Sequence, residues 1–362
     1  MKIVSLVGAR PQFVKLAPLC RALRGNRGVH HVIVHSGQHY DYRMSKVFFD
    51  RLQIPEPEYN LAVGSGSHAA QTARCLERFD RVLEKEKPDW VLIYGDTNTT
   101  LAGALAARQR QLRLAHVEAG LRSFNRLMPE ESNRIVADHC SDLLFCPTRT
   151  AMRHLRTEGI GSSRTGFQRA VLVGDIMVDI LKLSVQRAGS PASLLKRLGV
   201  DPGRFALVTI HRAENTNHPE RLRSILAALG TLAKDRPVLF PAHPRTLVAC
   251  RRYRLSGLLK PLQVVAPMDY FEMLQLESTA GFILTDSGGV QKEAYLLKTP
   301  CVTVREETEW PETLRSGWNR LAGWHTQDIL SAARRPVSGN SHPACFGDGH
   351  TGERIVSLLI RG

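Results

Sequence analysis

Apolar positions in this chain fall into short continuous runs separated by longer amphipathic stretches. In the first half, residues 2–7, 31–35, 90–94, 112–117 and 143–146 read as strands. The run WVLIY at 90–94 has no charged position, which marks a strand covered on both faces. Helical patterns lie between them, at 13–24 (apolar at Val14, Leu16, Leu19 and Leu23) and at 101–110. A second cycle follows the glycine- and serine-bearing stretch 159–166. Its strands are 205–210, 237–240, 263–265, 281–285 and 301–304, with helices at 220–232, near 270–276 and from 290. The tail 350–360 is again helical in pattern. Strands alternating with helices predict an α/β chain of two doubly wound, Rossmann-like domains with parallel sheets. The expected division is residues 1–170, then 171–348, then a terminal helix at 349–362 packing back onto the first domain. In such folds ligands bind beyond the carboxyl ends of the strands.

Composition narrows the class. Of the 362 residues 43% are hydrophobic and 23% charged, enough for sizeable cores and too apolar for disorder. No uninterrupted apolar stretch approaches the roughly 18 residues of a membrane span, and Met1–Gly8 reads as a first buried strand instead of a signal peptide. The seven cysteines are scattered, odd in number and without a CxxC, so a reducing, cytoplasmic setting is expected. Lys and Arg exceed Asp and Glu by 49 to 34, a net charge of +15. The cations are dispersed, with neither a like-charge block nor interleaved aromatics, which suits an anionic small molecule and not nucleic acid.

The loops after the strands are more polar than turns require. Gly8-Ala9-Arg10-Pro11-Gln12, with Lys15 beyond, opens a helix whose amino end and two cations would attract an anion. Asp96 follows WVLIY, Glu118 ends the next strand, and Glu130 lies twelve residues further on, with Arg134 beyond. Strand-end carboxylates of a parallel sheet face one crevice, and crowded carboxylates suit proton removal and delivery. The plainer alternatives are a helix cap at Asp96 and ion pairs of Glu118 and Glu130 with Arg122 and Arg134. In the second half His211, His243 and Asp286-Ser287-Gly288-Gly289 each follow a strand. Ser287, Gly288 and Gly289, opening a helix, would present amide N–H groups to a diphosphate, and Glu293 a turn later could hold a ribose. The sequence lacks HExxH or paired His/Cys spacing, so no metal is expected. It lacks GxGxxG after the first strand, so no nicotinamide is expected. Gly64-Ser65-Gly66-Ser67-His68 misses the last glycine of a GxSxG elbow, so a serine hydrolase is not expected either.

Together these segments resemble the non-hydrolysing UDP-N-acetylglucosamine 2-epimerase family over nearly the whole chain. The resemblance rests on GARPQFVKLAP (8–18), GQHYD (37–41), GDTNTTLAGALAA (95–107) and HVEAGLRSFNRLMPEESNR (116–134). It continues through HRAENT (211–216), HPRT (243–246), TDSGGVQKEA (285–294), TEWPE (308–312) and FGDG (346–349). It implies a GT-B-like fold, two Rossmann-like domains with the site in the cleft between them. It also implies interconversion of UDP-GlcNAc and UDP-ManNAc through loss of UDP to a 2-acetamidoglucal, without a cofactor. By motif position Asp96, Glu118 and Glu130 correspond to the acid/base carboxylates, His211 to the catalytic histidine and Glu293 to the ribose-binding glutamate. Arg10, His211 and the amides at 287–289 would stabilise the leaving diphosphate; Lys15, Arg134 and His243 are further candidates for substrate binding. A homodimer built through first-domain helices is the implied assembly. Gln38-His39-Tyr40-Asp41-Tyr42 departs from the QHREM that many bacterial members use at an activator site, weakening the expectation of an activator. Thr308-Glu309-Trp310-Pro311-Glu312 departs from the frequent TERPE. These variants resemble a branch that includes UDP-2,3-diacetamido-2,3-dideoxyglucuronate 2-epimerases of lipopolysaccharide synthesis as well as UDP-GlcNAc epimerases. A hydrolysing epimerase would share the same residues.

Overall fold

A computed structural model describes residues 1–37, 52–161, 168–334 and 341–362, with Arg10 by its backbone alone. Gln38-His39-Tyr40-Asp41-Tyr42 therefore lies outside the described residues. The chain divides into two units, Met1–Lys182 together with Ala344–Gly362, and Leu183–Pro343.

The first unit contains a seven-stranded sheet of β1 (Lys2–Val7), β2 (His30–His35), β3 (Tyr59–Asn60), β4 (Trp90–Tyr94), β5 (Leu114–Val117), β6 (Leu143–Cys146) and β7 (Arg169–Leu172). Their order is β3-β2-β1-β4-β5-β6-β7, and every pairing is parallel. The second unit has β8 (Ala206–Thr209), β9 (Val238–Pro241), β10 (Gln263–Val265), β11 (Phe282–Thr285), β12 (Cys301–Thr303) and β13 (Asn319–Leu321). Its order, β10-β9-β8-β11-β12-β13, repeats the same winding, again all parallel. Each sheet thus reverses direction once, beside β1/β4 and beside β8/β11, the places where such folds bind ligands.

The apolar runs become strands because both sheet faces are covered. In β8, Ala206 and Val208 join one core cluster and Leu207 the opposite one. Val238 and Phe240 of β9 face the first cluster while Leu239 faces the second. Each such large side chain taken out of water contributes roughly 1.5–3 kcal/mol, so these continuous runs have no solvent-facing alternative.

The division of the chain differs from the break expected near residue 170. β7 pairs in register with β6, Leu143 with Arg169 and Cys146 with Leu172, so the first unit must run past it. Residues 344–348 also belong with the first unit, where the Asp175 amide donates to the Phe346 carbonyl at 2.7 Å. The terminal helix Thr351–Arg361 packs within the same unit. A methyl on Gly352 would lie 3.0 Å from the Pro18 carbonyl oxygen of helix Arg10–Leu23. Helix His68–Glu86 is an element that the apolar pattern did not announce. Ser67 caps it by accepting from the Ala70 amide, and its buried side is Cys75, Phe79, Val82 and Leu83. The glycine-serine stretch before it is this helix's lead-in. Among the described residues no helix is long and apolar enough to cross a membrane.

Candidate active site

At the reversal point of the first sheet, Gln12 ties the ends of β1 and β4 together. Its Oε1 accepts from the Gly8 and Ala9 amides at 2.8 and 3.0 Å. Its Nε2 donates to the Tyr94 carbonyl and to Thr100 Oγ1 at 2.9 and 3.1 Å. Glycine at position 8 is required by space, since a methyl there would lie 1.8 Å from Ser36 Oγ. Of Arg10, only the backbone at the start of its helix is described.

Asp96 is not the cap of the next helix. Thr97 caps Asn98–Gln109, accepting from the Thr100 amide at 3.3 Å, so the helix starts three residues before the apolar pattern suggests. The Asp96 carboxylate is thereby left to Arg134, whose Nη2 donates to Oδ2 at 2.6 Å. Arg134 also pairs with Glu131 at 3.1 Å and is almost wholly buried. Asn133 Nδ2 donates to the Asp96 carbonyl at 2.9 Å.

Glu118 follows β5 with φ of +70°, in the left-handed region that side chains other than glycine rarely adopt. Lys15 Nζ donates to its Oε1, and the pair is well enclosed, at 10% and 8% side-chain exposure. The carboxylate lies over Gly95, where a methyl would sit 2.9 Å from Lys15 Nζ and 3.7 Å from Glu118 Oε1. Glu118 and Lys15 are thus brought together over Gly95, the residue immediately before Asp96. Neither ion pair matches the plain alternative, because Arg122 pairs with Asp138 and Glu158, and Arg134 with Asp96 and Glu131. Glu130 is half-buried in the first turn of helix Pro129–Cys140, one turn before Arg134, with no ion-pair partner among the described residues.

Below this surface runs a buried polar chain. His116 on β5 bridges Asp138 Oδ1 and the Gly95 carbonyl, both at 2.7 Å. Asp138 Oδ2 accepts from Arg122 Nη1 at 2.7 Å and from the Gly120 amide at 3.1 Å. Burial alone would raise the Asp138 pKa, but hydrogen bonds and charge from His116 and Arg122 hold it below its ordinary value.

The second unit places its candidates at the β8/β11 reversal. Asp286, fully buried after β11, accepts from the amides of His211 (3.1 Å) and Arg212 (2.9 Å) and from Asn215 Nδ2 (3.1 Å). The His211 ring sits with Nδ1 3.5 Å from Asp286 Oδ1 and its centroid 5.8 Å from that of His243. Enclosure lowers the His211 pKa below 6.5; Arg212, His243 and Arg245 act the same way and Asp286 opposes them. His243 caps helix Pro244–Arg252, its Nδ1 accepting from the Arg245 amide at 3.1 Å, and its pKa is also lowered, by partial burial and by Arg245.

Helix Gly288–Leu296 begins two residues before the pattern suggests, with Ser287 as its cap residue. The Ser287 amide is taken by Thr285 Oγ1 at 2.9 Å, so the donors left open are those of Gly288 and Gly289, which bond to nothing among the described residues. A methyl on Gly288 would lie 3.4 Å from Glu309 Oε2 and 3.6 Å from Trp310 Nε1. Glu293 is buried one turn beyond Gly289. The TEWPE loop packs against this helix: Thr308 Oγ1 donates to Gln291 Oε1 at 2.6 Å, and Lys292 Nζ lies 4.1 Å from the Trp310 ring centroid. Among the described residues no group of three or more His, Cys, Asp or Glu is placed to hold a metal.

The residue reading passed over Gln12, Asp138 and the supporting role of Asp286. Asp286 carried a signal, an acid between an apolar strand and two glycines. Asp138 carried none, since a helix-interior aspartate gives no sign of where it points.

Comparison with known proteins identifies the family and the fold. The model of the UDP-N-acetylglucosamine 2-epimerase family matches residues 21–360. The chain is 47% identical to a UDP-N-acetylglucosamine 2-epimerase homolog of Methanococcus maripaludis, covering 99% of each. It is 44% identical to the UDP-2,3-diacetamido-2,3-dideoxy-D-glucuronate 2-epimerase of Pseudomonas aeruginosa, covering both completely. Among solved structures, the UDP-GlcNAc 2-epimerase of Methanocaldococcus jannaschii in complex with UDP-GlcNAc and UDP superposes with a TM-score of 0.91 at 41% identity over both whole chains. The paired Rossmann-like sheets are thus those of a GT-B-like fold. The chain belongs to the UDP-N-acetylglucosamine 2-epimerase family and is a UDP-sugar 2-epimerase of its non-hydrolysing kind.

Proposed function

We propose that this enzyme inverts C2 of UDP-N-acetylglucosamine to give UDP-N-acetylmannosamine. The observation that carries the reading is the placement of Glu118 over Gly95, the residue before Asp96, with each of the two carboxylates already paired with a cation. A carboxylate removes the C2 proton, the C1–O bond to UDP breaks, and the electron pair forms the C1=C2 bond of a 2-acetamidoglucal. UDP then adds back to C1 while a second acid delivers a proton to the other face of C2. No water is consumed and no net charge is lost. Asp96, Glu118 and Glu130 carry the proton transfers, with Lys15 and Arg134 holding two of them in place. The leaving diphosphate is received by the Gly288 and Gly289 amides, His211 and Arg10, with His243 beside His211 and Glu293 on the ribose.

A second reading has one specific observation behind it. The Pseudomonas relative, 44% identical along its full length, acts on the diacetamido glucuronate. A substrate carboxylate would suit a chain of net charge +15. The relatives named for UDP-GlcNAc extend to a liganded structure at 41% identity, which favours the simpler sugar.

We further propose a homodimer. Helices His68–Glu86, Asn98–Gln109 and Pro129–Cys140 line a shallow, mostly apolar hollow on the first unit, formed by Ala69, Ala73, Leu101 and Pro129 among others. A second copy would cover it.

The deciding measurement is proton NMR of UDP-GlcNAc with the protein in D₂O, without added metal or nucleotide. Deuterium at C2 with a UDP-ManNAc signal is expected. Bound UDP without exchange would favour the uronate, to be tried next. The absence of both exchange and UDP binding would overturn the proposal.

A further inference from the structure

Helix Pro129–Cys140 carries Glu131, Arg134 and Asp138 three and four residues apart, on one face. Each reaches a different loop at the carboxyl end of the sheet. Glu131 accepts from the Ser123 and Phe124 amides at 2.9 and 2.8 Å. Arg134 holds Asp96 at 2.6 Å. Asp138 holds the Gly120 amide and His116, and His116 in turn reaches the Gly95 carbonyl. A carbonyl oxygen only accepts, so His116 Nε2 donates to it.

We propose that Asp138 and His116 are positioning residues for the epimerisation, fixing Asp96 relative to Glu118 through Gly95 and Gly120. The proposal rests on the reading of Asp96 and Glu118 as the acid–base pair. The Gly95 carbonyl immediately precedes Asp96, and the Gly120 amide lies two residues beyond Glu118. The two acids are therefore anchored to one buried hydrogen-bonded pair. The backbone between the anchors is strained, since φ of +70° at Glu118 costs on the order of 1–3 kcal/mol and persists only where its surroundings impose it. The bonds that impose it are Gly120 to Asp138, Ala119 to the Phe145 carbonyl at 3.1 Å, and Gly95 to the Val117 carbonyl at 3.0 Å. His116 and Asp138 are both fully buried, so neither touches a ligand itself. Stability is a weak reason for their presence, because a buried ion pair is commonly matched by apolar residues of the same volume. What an apolar pair cannot supply is a donor to Gly95 and an acceptor for Gly120.

The test is steady-state kinetics of Asp138→Asn and His116→Gln, using whichever of the two UDP-sugars the unaltered enzyme converts. The proposal expects kcat and C2 deuterium exchange to fall together by about a hundredfold, the scale of a roughly 1 Å misplacement. KM and UDP affinity should stay within about threefold, since only the transition-state arrangement is disturbed. Glu158→Gln, which reaches the network only through Arg122 at its outer end, should leave kcat unchanged. Near-parental kcat in both variants would overturn the proposal. So would joint loss of kcat, UDP binding and melting temperature in both, which marks a merely structural role. Asp96→Asn separates this from the underlying reading. If it keeps C2 exchange, the acid–base assignment fails. If it loses exchange while the two positioning variants do not, only the positioning proposal fails.

Discussion

The two units share one winding but prepare their strand ends in opposite ways. In the first, the polar groups at the reversal point are already matched: Asp96 with Arg134, Glu118 with Lys15, and both backbones tied to His116 and Asp138. In the second, Asp286 satisfies the loop of His211 and Arg212, but among the described residues the Gly288 and Gly289 amides are left open, and His211 is biased toward its neutral form. Carboxylates that must move protons need fixed positions and balancing charge, because a misplaced base loses most of its advantage. A diphosphate brings its own charge and needs donors that are not already spent. Similar sheets thus carry pre-paired carboxylates in one unit and open amide donors in the other, which is the division of labour proposed above.

The sharpest way to break this contrast is to neutralise the acids. Asp96→Asn and Glu118→Gln should each lower C2 exchange by roughly a thousandfold or more while UDP binding, measured by calorimetry, persists. Loss of UDP binding instead would mean that these groups belong to the cradle.

Acid stability separates the units next. His31, half-buried and hydrogen-bonded to Ser5 in the first unit, has its pKa lowered to about 4 by desolvation. The unfolded chain binds a proton there near 6.5, so stability is fully present above that value and is lost as pH falls toward 4. The loss amounts to about 3 kcal/mol. Denaturant unfolding between pH 7 and 4 should show this slope, and His31→Gln should flatten it; an unchanged slope would assign the acid sensitivity to other groups.

A smaller effect is expected at the cradle. Gly288→Ala brings a methyl to 3.4 Å from Glu309 Oε2, a contact the fold tolerates, but sets it where the anion approaches. UDP affinity should weaken roughly tenfold to hundredfold, the range of one or two charge-assisted hydrogen bonds, with C2 exchange at saturating substrate less affected. Equal damage to both would show that cradle and acids are not separable.

The smallest effect is on the histidine itself. Asp286→Asn should lower the His211 midpoint further, and Arg245→Ala should raise it, both followed by NMR titration of the ring. Opposite signs would remove the charge balance ascribed to this loop.

Much of this was legible without coordinates. The runs 2–7, 90–94, 143–146 and 263–265 are strands with those bounds; 90–94 and 143–146 are buried throughout, and a strand covered on both faces admits nearly no polar residue. Helix starts were read two or three residues late at Asn98 and Gly288, since capping turns are polar and carry no apolar period. Helix His68–Glu86 escaped for a similar reason, its few apolar side chains being outnumbered by charged ones. Asp96, Glu118, His211 and the glycines at 288 and 289 were visible because each directly follows an apolar run.

What the sequence determined by itself was the set of elements, the loops that carry chemistry and, through ordered motifs, the family. Which charge meets which was settled only by tertiary structure. Arg122 and Arg134 looked like partners for Glu118 and Glu130, yet Arg122 took Asp138 and Glu158, and Arg134 took Asp96 and Glu131. The strand boundary at β7, which moved the division of the chain to residue 182, was likewise decided by pairing with β6. The reason is the same in both cases. Hydrophobic periodicity is written locally along the chain, whereas ion pairs and strand pairings join residues far apart in sequence, and only the folded sheet brings them together.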